Sequence, residues 1–237
     1  MDYIYGANAV REAIRSGNAI CVYLDPNKAQ NPIALEAASA GIPIHYITRP
    51  RLNGIVNSVN HQGFVAKVRE YSYLSIEDLI AVCKNGEPNP ILILLDGIQD
   101  PHNLGAILRS ADAFGVKGIV IKNHGQAKMT ATVMKVSTGA ANYVPVATVT
   151  NLKSALNMLK KSGFWIVGTD GEATETIDHV DLHRPLCVII GSEGKGISPL
   201  LKRECDYLIK IPMVGHVNSL NASVSAGIIL ALITYLR

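Results

Sequence analysis

Apolar and polar residues alternate along the first third of the chain with two different periods, one helical and one extended. Val10, Ala13 and Ile14 recur at the spacing of one helix face, whereas the residues from Phe64 to Val68 alternate singly, as in an antiparallel or edge strand. Glycines and prolines interrupt these stretches and mark where the elements end. The pattern predicts helices over 9–14 and 33–40 and strands over 20–24, 42–47 and 64–68.

The pattern changes at Ile91, where five aliphatic residues follow one another without a polar break. Such a run is typical of a central strand that is buried on both faces. Helical and extended stretches then alternate to the end of the chain, which predicts a mostly parallel sheet covered by helices on both sides. The predicted strands are 91–95, 118–121, 165–168, 186–190 and 208–211, and the predicted helices are 104–114, 130–138, 152–161 and 223–236.

A polar stretch separates these two parts. Residues 83–90 contain one glycine and two prolines, a composition typical of a domain boundary. Residues 72–90 therefore read as a connection that includes a short helix over 76–82. The fold class is α/β, and we predict a small N-terminal α/β domain over 1–75, a linker over 76–90 and a larger domain over 91–237.

Composition narrows the class of protein. Of the 237 residues, 48% are hydrophobic and 17% charged, which is typical of a compact folded protein. The net charge of +3 is compatible with RNA binding and equally with an ordinary surface. None of the four cysteines forms a C-x-x-C pair, so neither a metal site nor a disulfide framework is expected. With no charged-then-apolar leader and no membrane-length apolar run, we expect a cytoplasmic protein that does not interact with a membrane.

Three loops that follow predicted strands are candidates for chemistry, because ligands of α/β sheets bind at the carboxyl ends of strands. In the first loop, Asn103 is a plausible N-cap of the helix that follows. Arg109 lies six residues further on, from where its side chain could project towards the strand ends. On spacing alone, an arginine at this place is more often an ordinary surface residue.

The second loop, from Gly191 to Gly196, has three glycines in six residues directly after a predicted strand. Glycines allow the backbone to approach a ligand closely. The loop matches neither G-x-x-x-x-G-K-[ST] nor G-x-G-x-x-G, so a plain tight connection explains it as well as a ligand site does. A nicotinamide-dependent Rossmann enzyme is disfavoured, since the first strand-turn-helix also lacks G-x-G-x-x-G.

The third loop, residues 211–223, ends in a run of Asn and Ser before a purely apolar helix. One or two such residues are expected as helix caps. The remaining small hydrogen-bonding side chains suit a site that binds a polar ligand or the reacting groups.

Together, the three loops resemble, in order, spacing and strand context, the three motifs of the SpoU branch of the knotted SPOUT methyltransferases. The residues that carry this resemblance lie between Asn103 and Arg109, between Gly191 and Gly196, and from Ile211 through Met213 to 218–223. The segments 5–10 and 60–63 resemble the opening and closing of the family's auxiliary domain, with Asn8 where members often carry His, and His216-Val217-Asn218 where they more often carry smaller residues.

The resemblance implies a C-terminal domain with a deep trefoil knot, an N-terminal ribosomal-protein-like RNA-binding domain and a homodimer whose active site is completed across the interface. Within the family, the chain most resembles the RlmB type. Enzymes of this type use S-adenosylmethionine to methylate the ribose 2'-hydroxyl of a guanosine in 23S rRNA or a ribosomal precursor particle. The implied catalytic residues are Arg109, Asn103, Glu193, Ser219 and Asn221; the implied cofactor-binding residues are Thr169, Gly171, Gly191, Gly196, Ile211, Met213, Leu220 and Ala222.

Two alternatives stay open at this point. A tRNA ribose 2'-O-methyltransferase of the same branch would use the same chemistry, although its usual members lack a full N-terminal domain. A catalytically silent RNA-binding protein would keep the fold but is expected to lose Arg109, Glu193 or Asn221, all of which are present.

Overall fold

The computed structural model describes residues 2–86, 88–217 and 219–237. The chain folds as two compact units. The first comprises Met1–Ser72 together with Lys128–Tyr143, and the second comprises Tyr73–Ala127 together with Val144–Arg237. Residues 128–143, which the sequence pattern assigns to the larger domain, therefore pack with the N-terminal residues instead. Asn218, part of the third loop, lies outside the described residues.

Each helix and strand predicted above is present, with its ends shifted by a few residues. The pattern misses the strands over 2–5 and 146–149. It also misses the helix over 49–56, which contains Pro50 and Gly54, and the single helical turn over 199–202. The strands are β1 (Asp2–Tyr5), β2 (Ala19–Leu24), β3 (Ile44–Tyr46), β4 (Phe64–Val68), β5 (Ile91–Asp96), β6 (Gly118–Lys122), β7 (Val146–Val149), β8 (Trp165–Thr169), β9 (Leu186–Gly191) and β10 (Tyr207–Ile209). The α-helices are α1 (Ala7–Arg15), α2 (Pro32–Ser39), α3 (Arg49–Val56), α4 (Ile76–Lys84), α5 (Pro101–Ala113), α6 (Ala131–Val136), α7 (Leu152–Lys161), α8 (Pro199–Lys202) and α9 (Ala222–Leu236).

The first unit contains a four-stranded sheet in the order β1-β4-β2-β3. Strand β4 pairs antiparallel with β1 and β2, as its alternating pattern predicts, and β2 pairs parallel with β3. Helix α1 buries Val10, Ala13 and Ile14, which is the amphipathic face read from the sequence. It packs against β1, β2 and β4, and α6 packs against β1.

The second unit contains a six-stranded sheet in the order β10-β8-β9-β5-β6-β7, and all its neighbouring strands pair in parallel. The aliphatic run of β5 is a central strand, as predicted, and Ile91 to Leu95 are all buried. Helix α5 packs against α9. No helix in the described part of the chain combines the length and apolar character needed to cross a membrane.

The predicted linker over 76–90 is wrong in one respect, because α4 belongs to the core of the second unit. Its buried residues Ile76, Leu79, Ile80 and Cys83 are spaced as one helix face. They pack in one buried cluster with residues of β5 and α7. The side chain of Ser75 caps the helix by accepting from the backbone N–H of Asp78 at 3.1 Å.

The predicted N-cap of α5 is also wrong. The helix begins at Pro101, and Asp100 is its cap: the Asp100 carboxylate accepts from the backbone N–H of His102 at 2.8 Å. Proline is favoured at the first helical position because it has no N–H to satisfy there. Asn103 consequently lies within the first turn, and its side chain is available for other contacts.

Candidate active site

A cleft of about 120 Å³ opens at the carboxyl edge of the larger sheet. The neighbouring strands β8, β9 and β10 end at this edge, since Ile209 pairs with Thr169 and Gly168 pairs with Ile189. The loops that follow these strands and the start of α9 form the walls. All eight residues predicted for cofactor binding line the cleft: Thr169, Gly171, Gly191, Gly196, Ile211, Met213, Leu220 and Ala222.

The loop after β9 is a tight hairpin. The backbone N–H of Gly196 donates to the carbonyl of Ser192 at 2.8 Å, and Gly196 has a φ of 62°, which favours glycine. The far end of the loop is held by Asp96 at the end of β5, whose carboxylate accepts from the backbone N–H of Ser198 at 2.7 Å. Two strand ends therefore set the position of this wall of the cleft.

Three polar side chains from three separate segments meet beside the cleft: the first turn of α5, the loop after β9 and the N-cap of α9. The Asn103 amide donates to Oε1 of Glu193 at 3.0 Å, and the Asn221 amide donates to Oδ1 of Asn103 at 2.9 Å. The Asn221 amide also donates to Oε1 of Glu193. We call Asn103, Glu193 and Asn221 the polar triad. Glu193 and Ser219 also line the cleft, so four of the five predicted catalytic residues lie in or next to it.

Asn221 is also the N-cap of α9. Its Oδ1 accepts from the backbone N–H groups of Ser223 at 2.9 Å and Val224 at 3.3 Å, and from the Ser223 hydroxyl at 2.6 Å. The Asn and Ser run of the third loop thus caps the apolar helix, as predicted, while the amide end of the same side chain joins the polar triad.

Because Asn221 both caps α9 and belongs to the polar triad, its replacement should change the stability of the protein. Asn221→Ala should lower the free energy of unfolding by about 1 kcal/mol, because the cap of α9 is lost. Asn221→Ser should retain most of this stability, since serine is also a good N-cap, although it loses both amide bonds of the polar triad. Urea unfolding of the two variants measures the difference; equal stability would contradict the assigned cap.

Arg109 is the predicted catalytic residue that the single chain does not bring to the cleft. Its side chain is exposed on α5, and it is not among the residues that line the cleft. Six residues separate it from Asn103, which corresponds to about 9 Å along the helix axis and a rotation of about 240°. Arg109 therefore faces a different direction from the polar triad.

Charged residues that the motifs did not single out also line the cleft, namely Asp170 and Lys210. Asp170 forms an ion pair of 2.6 Å with Lys202 at the end of α8. The hydrogen bond from Lys202 lowers the pKa of the Asp170 carboxyl, so the group is ionised at neutral pH. The resemblance named the neighbouring Thr169 and Gly171, but the pairing of Asp170 with Lys202 depends on a contact between distant segments.

Comparisons with known proteins agree with this architecture. Residues 90–231 match the model of the SpoU rRNA Methylase family, and residues 3–74 match the model described as RNA 2'-O ribose methyltransferase substrate binding. The Bacillus subtilis protein YacO, named for the TrmH family of tRNA/rRNA methyltransferases, is 44% identical over 234 residues, which are 97% of this chain and 93% of YacO.

Two solved structures share the fold over nearly the whole chain. The SpoU methyltransferase AviRb from Streptomyces viridochromogenes, in complex with the cofactor AdoMet, has a TM-score of 0.83 at 24% identity and covers 99% of this chain and 89% of its own. The AdoMet-bound rRNA methyltransferase from Sinorhizobium meliloti has a TM-score of 0.81 at 23% identity and covers 99% and 87%.

The parallel sheet, the cleft at its carboxyl edge and the two matched models define an RNA methyltransferase. The SpoU rRNA Methylase model spans residues 90–231, which is more than half of the chain, and YacO aligns with almost the whole chain. The chain therefore belongs to the SpoU rRNA methylase family, which confirms the resemblance read from the three loops.

Proposed function

We propose that this protein transfers the methyl group of S-adenosylmethionine to the ribose 2'-hydroxyl of a guanosine in 23S rRNA. The observation that carries the proposal is the convergence of all eight predicted cofactor-binding residues on one cleft, beside the polar triad. The description of the model matched by residues 3–74 supports the ribose 2'-oxygen as the acceptor.

The residues of the cleft suit S-adenosylmethionine, which combines an apolar ring system with charged groups. Ile190, Ile209 and Leu220 offer apolar surface, while Asp170 and Lys210 offer opposite charges for an ammonium and a carboxylate. Backbone groups of Gly191, Ile211 and Leu220 would hold the molecule. When bound, S-adenosylmethionine supplies a methyl group attached to a positively charged sulfur.

The side chains next to the cleft would prepare the acceptor. A ribose hydroxyl is a weak nucleophile that must be oriented, and the proton that it loses on methylation passes to solvent. Arg109 is a poor base, because the pKa of an arginine side chain is above about 12. We assign it instead to the RNA phosphate, which a guanidinium binds in a bidentate manner. Asn103 and Glu193 position Arg109 and the substrate, and Ser219 and Asn221 bond near the reacting centre.

The exposed position of Arg109 makes a second copy of the chain part of the proposal. We assign the protein to a homodimer in which one subunit supplies Arg109 to the cleft of the other. Large apolar residues of the third loop and of α9 are exposed and suit such an interface: Val217 is 66%, Val224 48% and Tyr235 85% exposed. Within the same proposal, the C-terminal stretch of the larger domain threads a deep trefoil knot, as the resemblance implies.

The shared site predicts complementation between two inactive variants. In a heterodimer of Arg109→Ala and Gly191→Ala subunits, one cleft would retain both residues. A statistical mixture made by coexpression should therefore regain about a quarter of the wild-type activity, since half of the dimers carry one intact site. An inactive mixture with heterodimers verified by native mass spectrometry would place both residues in the same subunit's site and contradict the shared site.

Residues 1–75 are proposed to bind the RNA substrate, and 91–237 to catalyse, with α4 packed on the catalytic part. The presence of an N-terminal unit favours rRNA over tRNA, and the RNA substrate is consistent with action in the cytoplasm. No metal has a role in this scheme.

The decisive experiment is methyl transfer from labelled S-adenosylmethionine to transcripts of 23S rRNA and tRNA, followed by nuclease digestion and mass spectrometry. A 2'-O-methylguanosine in 23S rRNA alone supports the proposal. Methylated tRNA would favour the tRNA alternative, and a methyl group on a base would contradict the chemistry. If neither RNA is methylated, calorimetry with S-adenosylmethionine distinguishes a silent module, which would show no binding, from an enzyme tested on the wrong substrate.

A further inference from the structure

The small sheet of the first unit has two different faces. Ile4, Val22 and Ala66 share one register row and are buried, and α1 packs against their three strands. Because side chains alternate along a strand, the neighbouring residues Tyr3 and Tyr23 belong to the opposite face. Both are only half-buried, whereas Cys21 and Val65 on the same face are buried, so this second face is open to solvent only around the tyrosines.

Aromatic rings form a continuous row across this second face. The ring centroids of Tyr3 on β1 and Tyr23 on β2 are 6.1 Å apart, and those of Tyr23 and His45 on β3 are 5.2 Å apart with an interplanar angle of 25°. Lys67 on β4 lies in register with Tyr3 and Cys21, between the two tyrosine-bearing strands. We call Tyr3, Tyr23, His45 and Lys67 the aromatic platform.

The charge on this face has one sign. By alternation, the strand residues on this side are Tyr3, Tyr5, Cys21, Tyr23, His45, Val65 and Lys67, of which none is acidic. A second cation is added by Lys135 of α6, whose Nζ lies 4.4 Å from the ring centroid of Tyr5. A hydrogen bond with Cys21, together with burial, raises the pKa of Tyr23, so its hydroxyl stays neutral.

We propose that the aromatic platform binds single-stranded RNA by stacking unpaired bases on Tyr23 and its neighbours, while Lys67 contacts the phosphate backbone. This inference rests on the proposed function for RNA as the partner. Aromatic side chains on an open sheet are surfaces on which bases stack irrespective of sequence. Duplex RNA cannot use such a face, because its bases are already stacked within the helix.

Tyr23→Leu is the central test, since leucine retains apolar volume but has no ring. The full-length protein is titrated into fluorescein-labelled oligoadenylate, into the same strand annealed to oligouridylate, and into an abasic strand of equal length, with fluorescence anisotropy as the readout. Tyr23→Leu should weaken binding of oligoadenylate about tenfold. Its affinity for the abasic strand and for the duplex should remain within about twofold of wild type.

Two variants serve as matched controls. Tyr23→Phe retains the ring and should bind oligoadenylate like the wild type. Tyr46→Leu removes a tyrosine that is 48% exposed on β3, next to His45 but on the other face of the sheet, and should also have no effect. Equal losses for Tyr23→Leu and Tyr46→Leu, or equal losses on oligoadenylate and the abasic strand, would overturn the stacking role.

Lys67→Gln gives a second test, which does not depend on the fold of a tyrosine variant. It should reduce the slope of log affinity against log salt concentration for oligoadenylate by about 0.7, the value for one phosphate contact on a single strand. An unchanged slope would overturn the backbone contact. If the face serves a protein partner instead, Tyr23→Leu and Lys67→Gln will both leave every RNA affinity unchanged.

These readouts do not require catalysis. Unaltered binding by Tyr23→Leu in a protein that methylates RNA would remove the aromatic platform and leave the proposed function standing. If the protein binds RNA through the tyrosine ring but methylates no RNA, the aromatic platform is supported and the proposed function is contradicted.

Discussion

Arg109→Ala is expected to lower methyl transfer to RNA by at least about a hundredfold, because the acceptor hydroxyl and its phosphate lose the guanidinium that orients them. Binding of S-adenosylmethionine should remain within about twofold of wild type, since we assign Arg109 to the RNA phosphate and the residues assigned to the cofactor are unchanged. The stability of the single subunit should also be preserved, because the side chain is exposed on α5 within its own chain. Single-turnover methylation and calorimetry measure the two effects separately.

Two further variants make this result specific. Arg203→Ala removes another exposed arginine of the same unit and should retain full activity, which controls for a general loss of positive charge. Arg109→Lys keeps the charge but loses the bidentate geometry, and its activity should lie between that of alanine and arginine. Near-normal turnover by purified Arg109→Ala would show that the residue has no catalytic role.

The residues that line the cleft were named from the resemblance, and the order of the strands gives the physical reason why they meet. Aliphatic runs identify β8, β9 and β10 as strands of a parallel sheet, and the carboxyl ends of such strands meet at one edge. Residues at these ends or just after them, such as Thr169, Gly191 and Ile211, must then lie close together, and in the structure they line one cleft. Arg109 lies within a helix, where spacing alone does not determine which surface the side chain reaches.

The errors have a common cause, namely contacts between segments that are distant in the sequence. Composition made 76–90 resemble a linker, yet Leu79 and its neighbours form a core face against β5 and α7. Residues 128–143 pack with the N-terminal unit, where the Tyr143 hydroxyl donates to the Glu12 carboxylate at 2.8 Å. A truncated protein that begins at Pro88 would consequently lose α4 from its core, so it does not isolate the catalytic unit.

Gly191→Ala is expected to weaken cofactor binding strongly. Gly191 ends β9, and a Cβ built there would overlap the backbone of Gly196 and Ile197. Backbone atoms of a tight hairpin cannot move aside as a flexible side chain can, so the wall of the cleft must shift. We expect at least about a tenfold loss of affinity for S-adenosylmethionine and a loss of about 1–3 kcal/mol in the free energy of unfolding.

Gly194→Ala is the matched control, because it adds the same methyl group to the same loop. A Cβ at Gly194 would meet nothing within 4 Å, so cofactor affinity and stability should both stay close to those of the wild type. Calorimetry with S-adenosylmethionine and urea unfolding of both variants test the pair. The close approach of the strand end to the hairpin, rather than flexibility of a glycine-rich loop, would then account for the effect at Gly191; equal losses at both positions would favour loop flexibility instead.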